Sequence, residues 1–493
     1  MTVRLRFAPS PTGSPHIGNI RTAVFDYLYA RHCGGDFILR VEDTDRTRYQ
    51  EGSLEDMMTG LRWMGMQWDE GPDAGGDKGP YFQSQRLELY HKYAQQLLDS
   101  GRAYYCYCTK ERLEEMRKEQ EANHMPPGYD RKCRNLTPEE REAAAKENPN
   151  PVIRFAMKRE GRTEFDDIVR GHVGFDNELQ DDFIIIKADG FPTYHFASIV
   201  DDHLMGITHV VRGEEWLSSA PKHLQLYEAM GWEPPVWVHL PLILGTDGKK
   251  LSKRSGTSTT FIDYMKSGYL PDAMLNFLAT MGWSSGEDRK LFSREELIED
   301  FTLEGITNHP AIFDLAKLND LQGEYVRMLS VEELADMLEP IMAEAGCVKP
   351  VNGDDPREYL LKVTELIQDR IVLLNEAPET ANYFYTDDFD YDPKGVRKHF
   401  SADHAVALAE RLAENLEAVN NWTHDDIEAA VRKSAHDLDL PKDALAIHAA
   451  RLATTGKTGG PGLFELMLVL GKDVCVKRVR RAGKYCAELA KGE

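Results

Sequence analysis

The chain has 493 residues, of which 42% are hydrophobic and 29% are charged, a balance that is typical of a globular protein with a sizeable core. No apolar stretch is long enough to span a bilayer, and the N-terminus lacks the apolar segment of a secretory signal, so we expect neither membrane insertion nor export. The net charge of −23 does not exclude a nucleic-acid partner, because phosphate binding depends on where the Lys and Arg residues lie.

The N-terminal part of the chain alternates between short apolar runs and amphipathic segments. A strand is predicted at residues 3–7, followed by a Pro/Gly loop, a helix that ends at two glycines, and a buried strand at residues 37–41. This strand–helix–strand order indicates a parallel sheet with a right-handed crossover. Ligands bind outside the carboxyl ends of such strands, and His16 and Glu42 fall there.

Between residues 81 and 189 the pattern changes and predicts an insertion between the two halves of the sheet. This segment contains a charged helix at residues 110–122 and short strands such as residues 152–157. The main sheet is then predicted to resume with strands at residues 183–186, 194–200, 209–211 and 236–239. The later part of the chain has predominantly helical periodicity.

Two short motifs far apart in the chain point to one kind of chemistry. His16-Ile17-Gly18-Asn19 opens the first predicted helix, whose free backbone N–H groups and dipole favour an anion. Lys250-Leu251-Ser252-Lys253-Arg254 lies in a loop and supplies three cations within five positions. Together the motifs predict a nucleotide held between a helix N-terminus and a cationic loop.

The two motifs resemble the HIGH and KMSKS signatures of class I aminoacyl-tRNA synthetases. Further segments are similar to the bacterial glutamyl-tRNA synthetase family, namely RFAPSPTG at residues 6–13, RVEDTDR at 40–46, GFPTYH at 190–195, VDDH at 200–203 and VRGEEW at 211–216. The resemblance is specific over the first 320 residues and weaker beyond them.

The resemblance implies an α/β fold. We expect a Rossmann-like parallel-sheet catalytic domain with an inserted α+β subdomain, followed by an all-α C-terminal anticodon-binding region. The expected divisions are residues 1–80 (catalytic domain, first half), 81–189 (acceptor-end-binding insertion), 190–245 (catalytic domain, second half), 246–325 (stem-contact region with the KMSKS-like loop) and 326–493 (helical anticodon-binding region).

The resemblance also implies an activity, namely ATP-dependent ligation of L-glutamate to tRNA-Glu through a glutamyl-adenylate, with release of pyrophosphate and AMP. ATP is a substrate, Mg²⁺ is expected with it, and we expect a cytoplasmic monomer that has no membrane partner. One alternative is a non-discriminating enzyme that also charges tRNA-Gln.

Four further alternatives are less favoured. The helical C-terminal half disfavours both a paralogue that glutamylates a tRNA base and a glutaminyl-tRNA synthetase, whose C-terminal half is built of β-barrels. The length of the chain disfavours a small nucleotidyltransferase. An inactive tRNA-binding protein would have lost His16 or Lys253, and both are present.

The resemblance transfers roles to individual residues. The catalytic pair is His16 and Lys253. The ATP-binding residues are Thr12, His16, Gly18, Asn19, Glu215, Lys250, Ser252, Lys253 and Arg254. The glutamate-binding residues are Arg6, Ala8, Ser10, Glu42, Tyr194, Ser198 and Arg212. Asn19 stands where the family signature has a second histidine, and an amide donates a hydrogen bond but never carries a proton charge.

A glutamate substrate requires two opposite charges in its site. A guanidinium suits the side-chain carboxylate, and a protein carboxylate suits the α-ammonium group. We expect Arg6 and Arg212 to supply the guanidinium groups. Tyr194 and Arg212 are predicted to lie on later strands of the sheet that contains Arg6. In the alternative interpretation, Arg212 forms a surface salt bridge with Glu214 or Glu215.

Three of the seven cysteines lie close together in the predicted insertion. An odd cysteine count without regular spacing favours free thiols or a metal in a reducing cytosol. Relatives in the family carry zinc at this insertion, which suggests a tetrahedral site here. The predicted ligand set is Cys106, Cys108, Tyr129 and Cys133. The family has His at the position of Asn135, so Tyr129, His124 or a water would complete the site; the alternative is three thiols without a metal.

The last 23 residues carry seven Lys and Arg residues against three acidic residues. This basic strip, residues 472–491, is interpreted either as a solvated helix face or as a contact with the tRNA backbone. Arg370 is a candidate for reading the third anticodon base.

Overall fold

The computed structural model describes residues 2–45, 47–251 and 260–491. The chain forms two compact units, the first made of Met1–Met265 with Met274–Leu315 and the second of Lys266–Ala273 with Ala316–Glu493. None of the described helices combines the length and the apolar character needed to cross a bilayer.

The strands found in the described ranges all lie before residue 315. In chain order they are β1 (Arg4–Phe7), β2 (Asp36–Leu39), β3 (Ala103–Cys106), β4 (Val152–Phe155), β5 (Arg162–Asp167), β6 (Gly171–Asp176), β7 (Ile184–Ile186), β8 (His209–Gly213), β9 (Val236–Leu240), β10 (Ile243–Leu244) and β11 (Ala311–Ile312).

Ten α-helices of the described residues precede residue 315. They are α1 (Ile17–His32), α2 (Ser53–Trp63), α3 (Leu87–Asp99), α4 (Lys110–Ala122), α5 (Pro138–Glu147), α6 (Tyr194–Leu204), α7 (Ala220–Met230), α8 (Phe261–Lys266), α9 (Pro271–Thr280) and α10 (Arg294–Asp300).

Parallel pairing dominates the part of the first unit that forms the site. β1 pairs in parallel with β2, and β8 pairs in parallel with β9, which also meets β5 in parallel at Asp167. The Thr208 N–H donates to the Arg4 carbonyl at 2.9 Å, so the start of β8 lies beside β1. The predicted strand–helix–strand unit is therefore confirmed, and the carboxyl ends of β1, β2 and β8 face one region.

Helix α1 connects β1 to β2 and supplies a large apolar face. Ile20, Val24 and Leu28 recur every four residues, and each is 0% exposed. Burying one such side chain contributes about 1.5–3 kcal/mol. The N-cap of the helix is His16, and its last turn carries Arg31 and His32.

The structure corrects the prediction that the main sheet resumes at residues 183–186. β7 pairs antiparallel with β4, and β4 pairs antiparallel with β3, so these strands form a separate three-stranded sheet. A short apolar run indicates a buried strand but carries no information about its partner, because pairing depends on contacts distant in sequence.

The predicted strand at residues 194–200 is also wrong, because these residues belong to α6. Phe196, Ile199 and Val200 recur at helical spacing, and all three are buried on one side of the helix. The β-branched residues favoured a strand locally, and tertiary burial of the helical stripe overrode that preference. Tyr194 therefore reaches its surroundings from the first turn of a helix.

The second unit is entirely helical in its described residues, as predicted. Its helices are α11 (Leu315–Met328), α12 (Val331–Glu344), α13 (Pro356–Ile367), α14 (Ala377–Ala381), α15 (Pro393–Gly395), α16 (Ala405–Glu417), α17 (His424–His436), α18 (Ala444–Thr455), α19 (Leu463–Leu470) and α20 (Lys472–Lys491).

One apolar core holds the second unit together. α12 begins at a capping box in which Ser330 and Glu333 satisfy each other's backbone N–H groups. Leu408 and Leu412 of α16 and Val479 of α20 are buried in the same core. A side chain at Gly483 of α20 would come within 3.3 Å of Ala409, so glycine there permits the close approach of α16 and α20.

Candidate active site

An open cavity of ≈ 560 Å³ lies at the carboxyl ends of β1 and β8, over the start of α1. Of the predicted substrate-binding residues that the structure describes, all except Ser198 line this cavity. They are Arg6, Ala8, Ser10, Thr12, His16, Gly18, Asn19, Glu42, Tyr194, Arg212, Glu215 and Lys250. Ser198 is buried within α6 instead. Ser252, Lys253 and Arg254 lie outside the described residues.

His16 occupies the N-cap of α1, where it also faces the cavity. Its Nδ1 accepts a hydrogen bond of 3.0 Å from the Gly18 N–H, which satisfies one of the unpaired donors of the helix start. In a neutral imidazole the proton is then on Nε2, which makes that nitrogen a donor. A side chain at Gly18 would lie 3.4 Å from His16 Nδ1, so glycine keeps this arrangement uncrowded.

At the wall of the cavity, three buried arginines pair with three buried carboxylates. Asp202 accepts from Arg6 Nε at 3.0 Å and from Arg40 Nη1 at 2.7 Å. Arg40 Nη2 also donates to Glu42 Oε1 at 3.3 Å. Asp201 accepts from Arg86 Nε at 2.7 Å. The positive charge of Arg6 is thus balanced within the protein.

Glu42 is a carboxylate at the wall of the cavity with an altered proton affinity. Burial raises the pKa of Glu42 to about 7, although the charges of Arg40 and Arg6 act in the opposite direction. Near neutral pH the group can therefore be ionised, and an approaching cation would favour the ionised form. This is the behaviour expected of a binding site for an ammonium group.

Arg212, near the end of β8, is buried and lines the cavity. The alternative of a surface salt bridge with Glu214 or Glu215 is therefore wrong. Glu214 instead pairs with Arg170 and accepts from the Leu242 N–H. Burial lowers the pKa of Arg212, which is consistent with a guanidinium that has no carboxylate partner among the described residues.

Tyr194 lies against Arg212 and is held by aromatic neighbours. Its ring centroid is 4.5 Å from that of Trp216, and burial raises the pKa of the Tyr194 hydroxyl. Trp216 lines the same cavity but was not among the predicted site residues. Trp216 belongs to the VRGEEW segment at residues 211–216, and this membership could have identified it as a site residue.

Asp26 is a second cavity residue that the sequence reasoning missed. It is 0% exposed, and among the described residues neither carboxylate oxygen has a hydrogen-bond partner. Burial raises the pKa of Asp26 well above its usual value. A charged residue within the apolar stripe of α1, between Phe25 and Tyr27, was the signal that could have identified it.

The cysteine cluster forms a compact group of potential metal ligands at the end of β3. The three Sγ atoms of Cys106, Cys108 and Cys133 lie within 4.8 Å of one another. The Tyr129 hydroxyl is 3.3 Å from Cys106 Sγ and 3.4 Å from Cys108 Sγ. Three sulfur atoms at this spacing could hold a metal ion, and the Tyr129 hydroxyl lies beside them. Within the part of the chain that the structure describes, His124 does not join this group.

The basic strip at residues 472–491 lies on α20, and its charges have different environments. Arg478 is 1% exposed and donates to the carbonyls of Thr454 and Tyr383 at 2.7 and 2.8 Å. Lys477 and Arg480 are exposed and pair with Asp387 and Glu417, respectively. The strip is therefore neither simply a solvated face nor uniformly available to a polyanion.

The parallel sheet, with a His-x-Gly helix start beside the end of its first strand, is the nucleotide-binding arrangement of class I aminoacyl-tRNA synthetases. The sequence profile described as tRNA synthetases class I (E and Q), catalytic domain, matches residues 2–320, and an anticodon binding domain profile matches residues 333–483. The chain belongs to this E and Q family of class I tRNA synthetases.

Individual relatives match over nearly the whole chain. A glutamate–tRNA ligase of Dehalococcoides mccartyi is 48% identical over 488 residues, which cover 99% of both chains. A glutamate–tRNA ligase of Moorella thermoacetica is 43% identical over 486 residues, again covering 99% of both. The crystal structure of a glutamate tRNA ligase from Elizabethkingia meningosepticum, in complex with its amino acid, superposes with a TM-score of 0.89 at 35% identity, covering 98% of this chain and 99% of that one.

Proposed function

We propose that this protein ligates L-glutamate to tRNA-Glu in two steps. A carboxylate oxygen of glutamate attacks the α-phosphorus of ATP, the bond to pyrophosphate breaks, and glutamyl-adenylate forms. The terminal ribose 2′-hydroxyl of the tRNA then attacks the acyl carbon, and AMP leaves. Family membership and relatives that bear the name glutamate–tRNA ligase support this proposal.

The observation that carries the proposal is a pair of opposite charges in one cavity. Arg212 offers a buried guanidinium without an ion-pair partner among the residues described, and Glu42 offers a carboxylate whose pKa of about 7 suits an incoming ammonium group. Glutamate has a side-chain carboxylate for the first and an α-ammonium group for the second. Arg6, Ala8, Ser10 and Tyr194 would line the rest of the amino acid.

The nucleotide would bind over the start of α1. His16 Nε2, the N–H groups at the helix start and Lys250 are the donors and the cation available to its phosphates. Thr12, Gly18, Asn19 and Glu215 line the same part of the cavity. Lys253, the second proposed catalytic residue, would follow the departing pyrophosphate, and magnesium would be held through the phosphates and water.

A zinc ion in the cysteine cluster would have a structural role. Cys106, Cys108, Cys133 and Tyr129 would hold it, and all four proposed ligands would come from the protein, as in structural zinc sites. The ion would fix the end of β3 relative to the turn at residues 132–135 and would take no part in the chemistry of ATP.

The helical second unit would select the tRNA. The anticodon binding domain profile supports this role, with Arg370 as a candidate for reading the third anticodon base. The domain divisions expected from the sequence are part of the proposal, with residues 81–189 contacting the acceptor end. We also propose a monomer that acts in the cytoplasm, where its seven cysteines remain reduced.

The decisive experiment is to charge purified tRNA-Glu and tRNA-Gln with labelled glutamate in the presence of ATP. Label should appear on tRNA-Glu with release of AMP, and tRNA that lacks its 3′-terminal adenosine should accept none. Label on the shortened tRNA would identify the base-glutamylating alternative. Equal charging of tRNA-Gln would show a non-discriminating enzyme, and failure to label either tRNA would contradict the proposal.

A further inference from the structure

Two buried histidines hold the guanidinium of Arg212 in the cavity wall. Arg212 Nε donates to His239 Nε2 at 3.0 Å, and Arg212 Nη1 lies 3.0 Å from His223 Nδ1. His223 is 1% exposed and His239 is 0% exposed. The third partner is the ring of Trp237, whose centroid is 4.7 Å from Arg212 Cζ. Arg212 is therefore surrounded by partners that are neutral when the histidines are deprotonated.

The neighbours of the two histidines determine which nitrogen carries the proton. His239 Nδ1 lies 2.6 Å from Asp167 Oδ2, so Nδ1 donates to Asp167 and Nε2 keeps its lone pair for Arg212. His223 Nδ1 accepts from Arg212, so His223 Nε2 carries the proton and donates to His195 Nδ1 at 3.0 Å. The chain of bonds is complete only if all three imidazoles are neutral.

Electrostatics keep these imidazoles neutral. Burial, followed by the charge of Arg212, lowers the pKa of His223 well below its usual value, and burial lowers the pKa of His195 to about 4. Burial also lowers the pKa of His239, although its bond to Asp167 opposes this. The nearby cations, Lys222 beside His195 and His223 and Arg170 beside His239, disfavour a further positive charge.

The arrangement around Arg212 differs from that around Arg6, the other cation proposed to face the amino-acid side chain. Arg6 forms an ion pair with Asp202, so it already has a carboxylate partner within the protein. Arg212 Nη2 is buried near the Tyr194 hydroxyl, and no acceptor of the described residues meets it in hydrogen-bonding geometry. Neutral imidazole nitrogens therefore fix the orientation of Arg212, and no carboxylate of the described residues forms an ion pair with it.

We infer that His223 and His239 are positioning residues that set the preference of the cavity for an acidic over an amide side chain. Neutral acceptors fix the orientation of Arg212 without cancelling its charge, so the substrate carboxylate is the anion that completes the pair. A carboxylate in the place of either histidine would orient Arg212 equally well, but it would also balance the positive charge of Arg212. A substrate with a neutral side chain of the same size, such as glutamine, would then compete more effectively with glutamate for the cavity. This inference rests on the proposed function, because it assumes that the cavity binds glutamate.

The test compares His223→Asp with His223→Asn, a pair that differs in charge and hardly in shape. In both variants an oxygen on Cγ replaces Nδ1 as the acceptor from Arg212 Nη1. ATP–pyrophosphate exchange, with tRNA present, gives kcat/KM for glutamate and for glutamine. We expect His223→Asn to keep the glutamate-to-glutamine ratio within about fivefold of the unaltered protein and His223→Asp to narrow it at least about tenfold. If His223 had a purely structural role, both variants would lower kcat/KM for glutamate and for glutamine by the same factor. The glutamate-to-glutamine ratio would then be the same in the two variants, and this result would overturn the inference.

A second pair of variants is used if thermal unfolding shows that His223→Asp does not fold. His239→Gln and His239→Glu place a neutral or a charged oxygen near the position of Nε2, and the charged variant should again have the narrower ratio. Equal ratios in this pair would also overturn the inference. The same assay on the unaltered protein distinguishes failure of this inference from failure of the proposed function. If the unaltered protein shows no glutamate-dependent pyrophosphate exchange, the proposed function itself is contradicted.

Discussion

At the scale of single residues, burial changes what the ionisable groups of the cavity can do. Glu42 and Arg212 both leave water, and each becomes easier to neutralise than a free side chain of its type. A zwitterionic substrate reverses this effect, because its charges stabilise the ionised form of both groups. We therefore expect the site to prefer a ligand that brings one charge of each sign, with the anionic group towards Arg212.

Glutamate binding should depend on pH through Glu42. Its pKa of about 7 in the free protein means that the carboxylate becomes protonated as the pH falls below that value. The association constant for glutamate should be constant above pH 7 and should fall about tenfold per unit below it, because binding then requires loss of one proton. Calorimetric titrations between about pH 8 and 5.5 measure this. Glu42→Gln should bind more weakly and without that slope, and an unchanged slope would assign the titration to another group.

Arg212→Ala should weaken the use of glutamate more than that of glutamine. Losing a buried charged pair costs about 2–5 kcal/mol of transition-state binding, and an amide side chain forms no such pair. The ratio of kcat/KM values for the two substrates in pyrophosphate exchange should narrow accordingly. Arg62→Ala is the control, because Arg62 pairs with Asp73 on the surface and not in the cavity wall, and its loss should leave the ratio unchanged. Equal losses for both substrates would mean that Arg212 serves the fold or the nucleotide.

At the scale of elements, buried polar contacts supplement the apolar core. α20 is fixed by Arg478, whose guanidinium joins the helix to the carbonyls of Thr454, Tyr383 and Thr386 and to the carboxylate of Asp387. The end of β3 carries the cysteine cluster, where three thiols lie close together within a small apolar cluster that includes Tyr104, Tyr129 and Ala156.

Arg478→Met should strongly destabilise the helical unit. The substitution leaves buried carbonyl groups without a donor, which costs about 3–5 kcal/mol for a buried charged group of this kind. Arg480→Met, two positions along α20, removes only an exposed pair with Glu417 and should cost at most about 1 kcal/mol. Urea unfolding followed by circular dichroism compares the two. A similar loss in both variants would show that Arg478 has no special structural role.

The cysteine cluster should retain zinc through purification. Elemental analysis should give about one equivalent per chain, because three thiolates and a phenolate complete a tetrahedral site. Cys106→Ser should abolish the metal, whereas Cys486→Ser changes a buried thiol of α20 and should not affect it. Metal-free protein that charges tRNA normally would instead favour three free thiols.

At the scale of the whole molecule, the net charge of −23 contrasts with the proposed polyanionic partner. Several cations of α20 are already engaged by Asp387 and Glu417, so the number of free cations is smaller than the sequence indicates. Binding of tRNA would then depend on a limited set of exposed Lys and Arg residues within an otherwise repulsive field.

Binding of tRNA should weaken steeply with salt, whereas binding of glutamate should not. Neutralising about six to ten phosphates releases counterions, so the tRNA association constant should fall by a factor on the order of 10³ or more between about 50 and 200 mM salt. Glutamate meets buried charges, which salt screens little, and its association constant should change less than about threefold. Filter binding and calorimetry on the same preparation compare the two. A shallow tRNA dependence would contradict a phosphate-dominated interface.

The sequence by itself determined the local elements and the family. The apolar alternation of β1, the charged helix α4 and the helical second unit follow from periodicity, and the motifs at His16 and Lys250 marked residues that line one cavity. These signals are local, because each depends on neighbours within a few turns or on a short segment with a characteristic composition.

Only the tertiary structure decided which distant groups meet. It showed that Tyr194 lies on a helix, that β7 pairs with β4, and that Arg478 is buried although its neighbours in the same basic strip are exposed. It also gave Arg212 its histidine partners, of which His239 is bonded in turn to Asp167, 72 residues away in sequence. Such contacts cannot be inferred from one chain, because pairing and burial depend on the free energy of the whole packed core and not on the preferences of each segment.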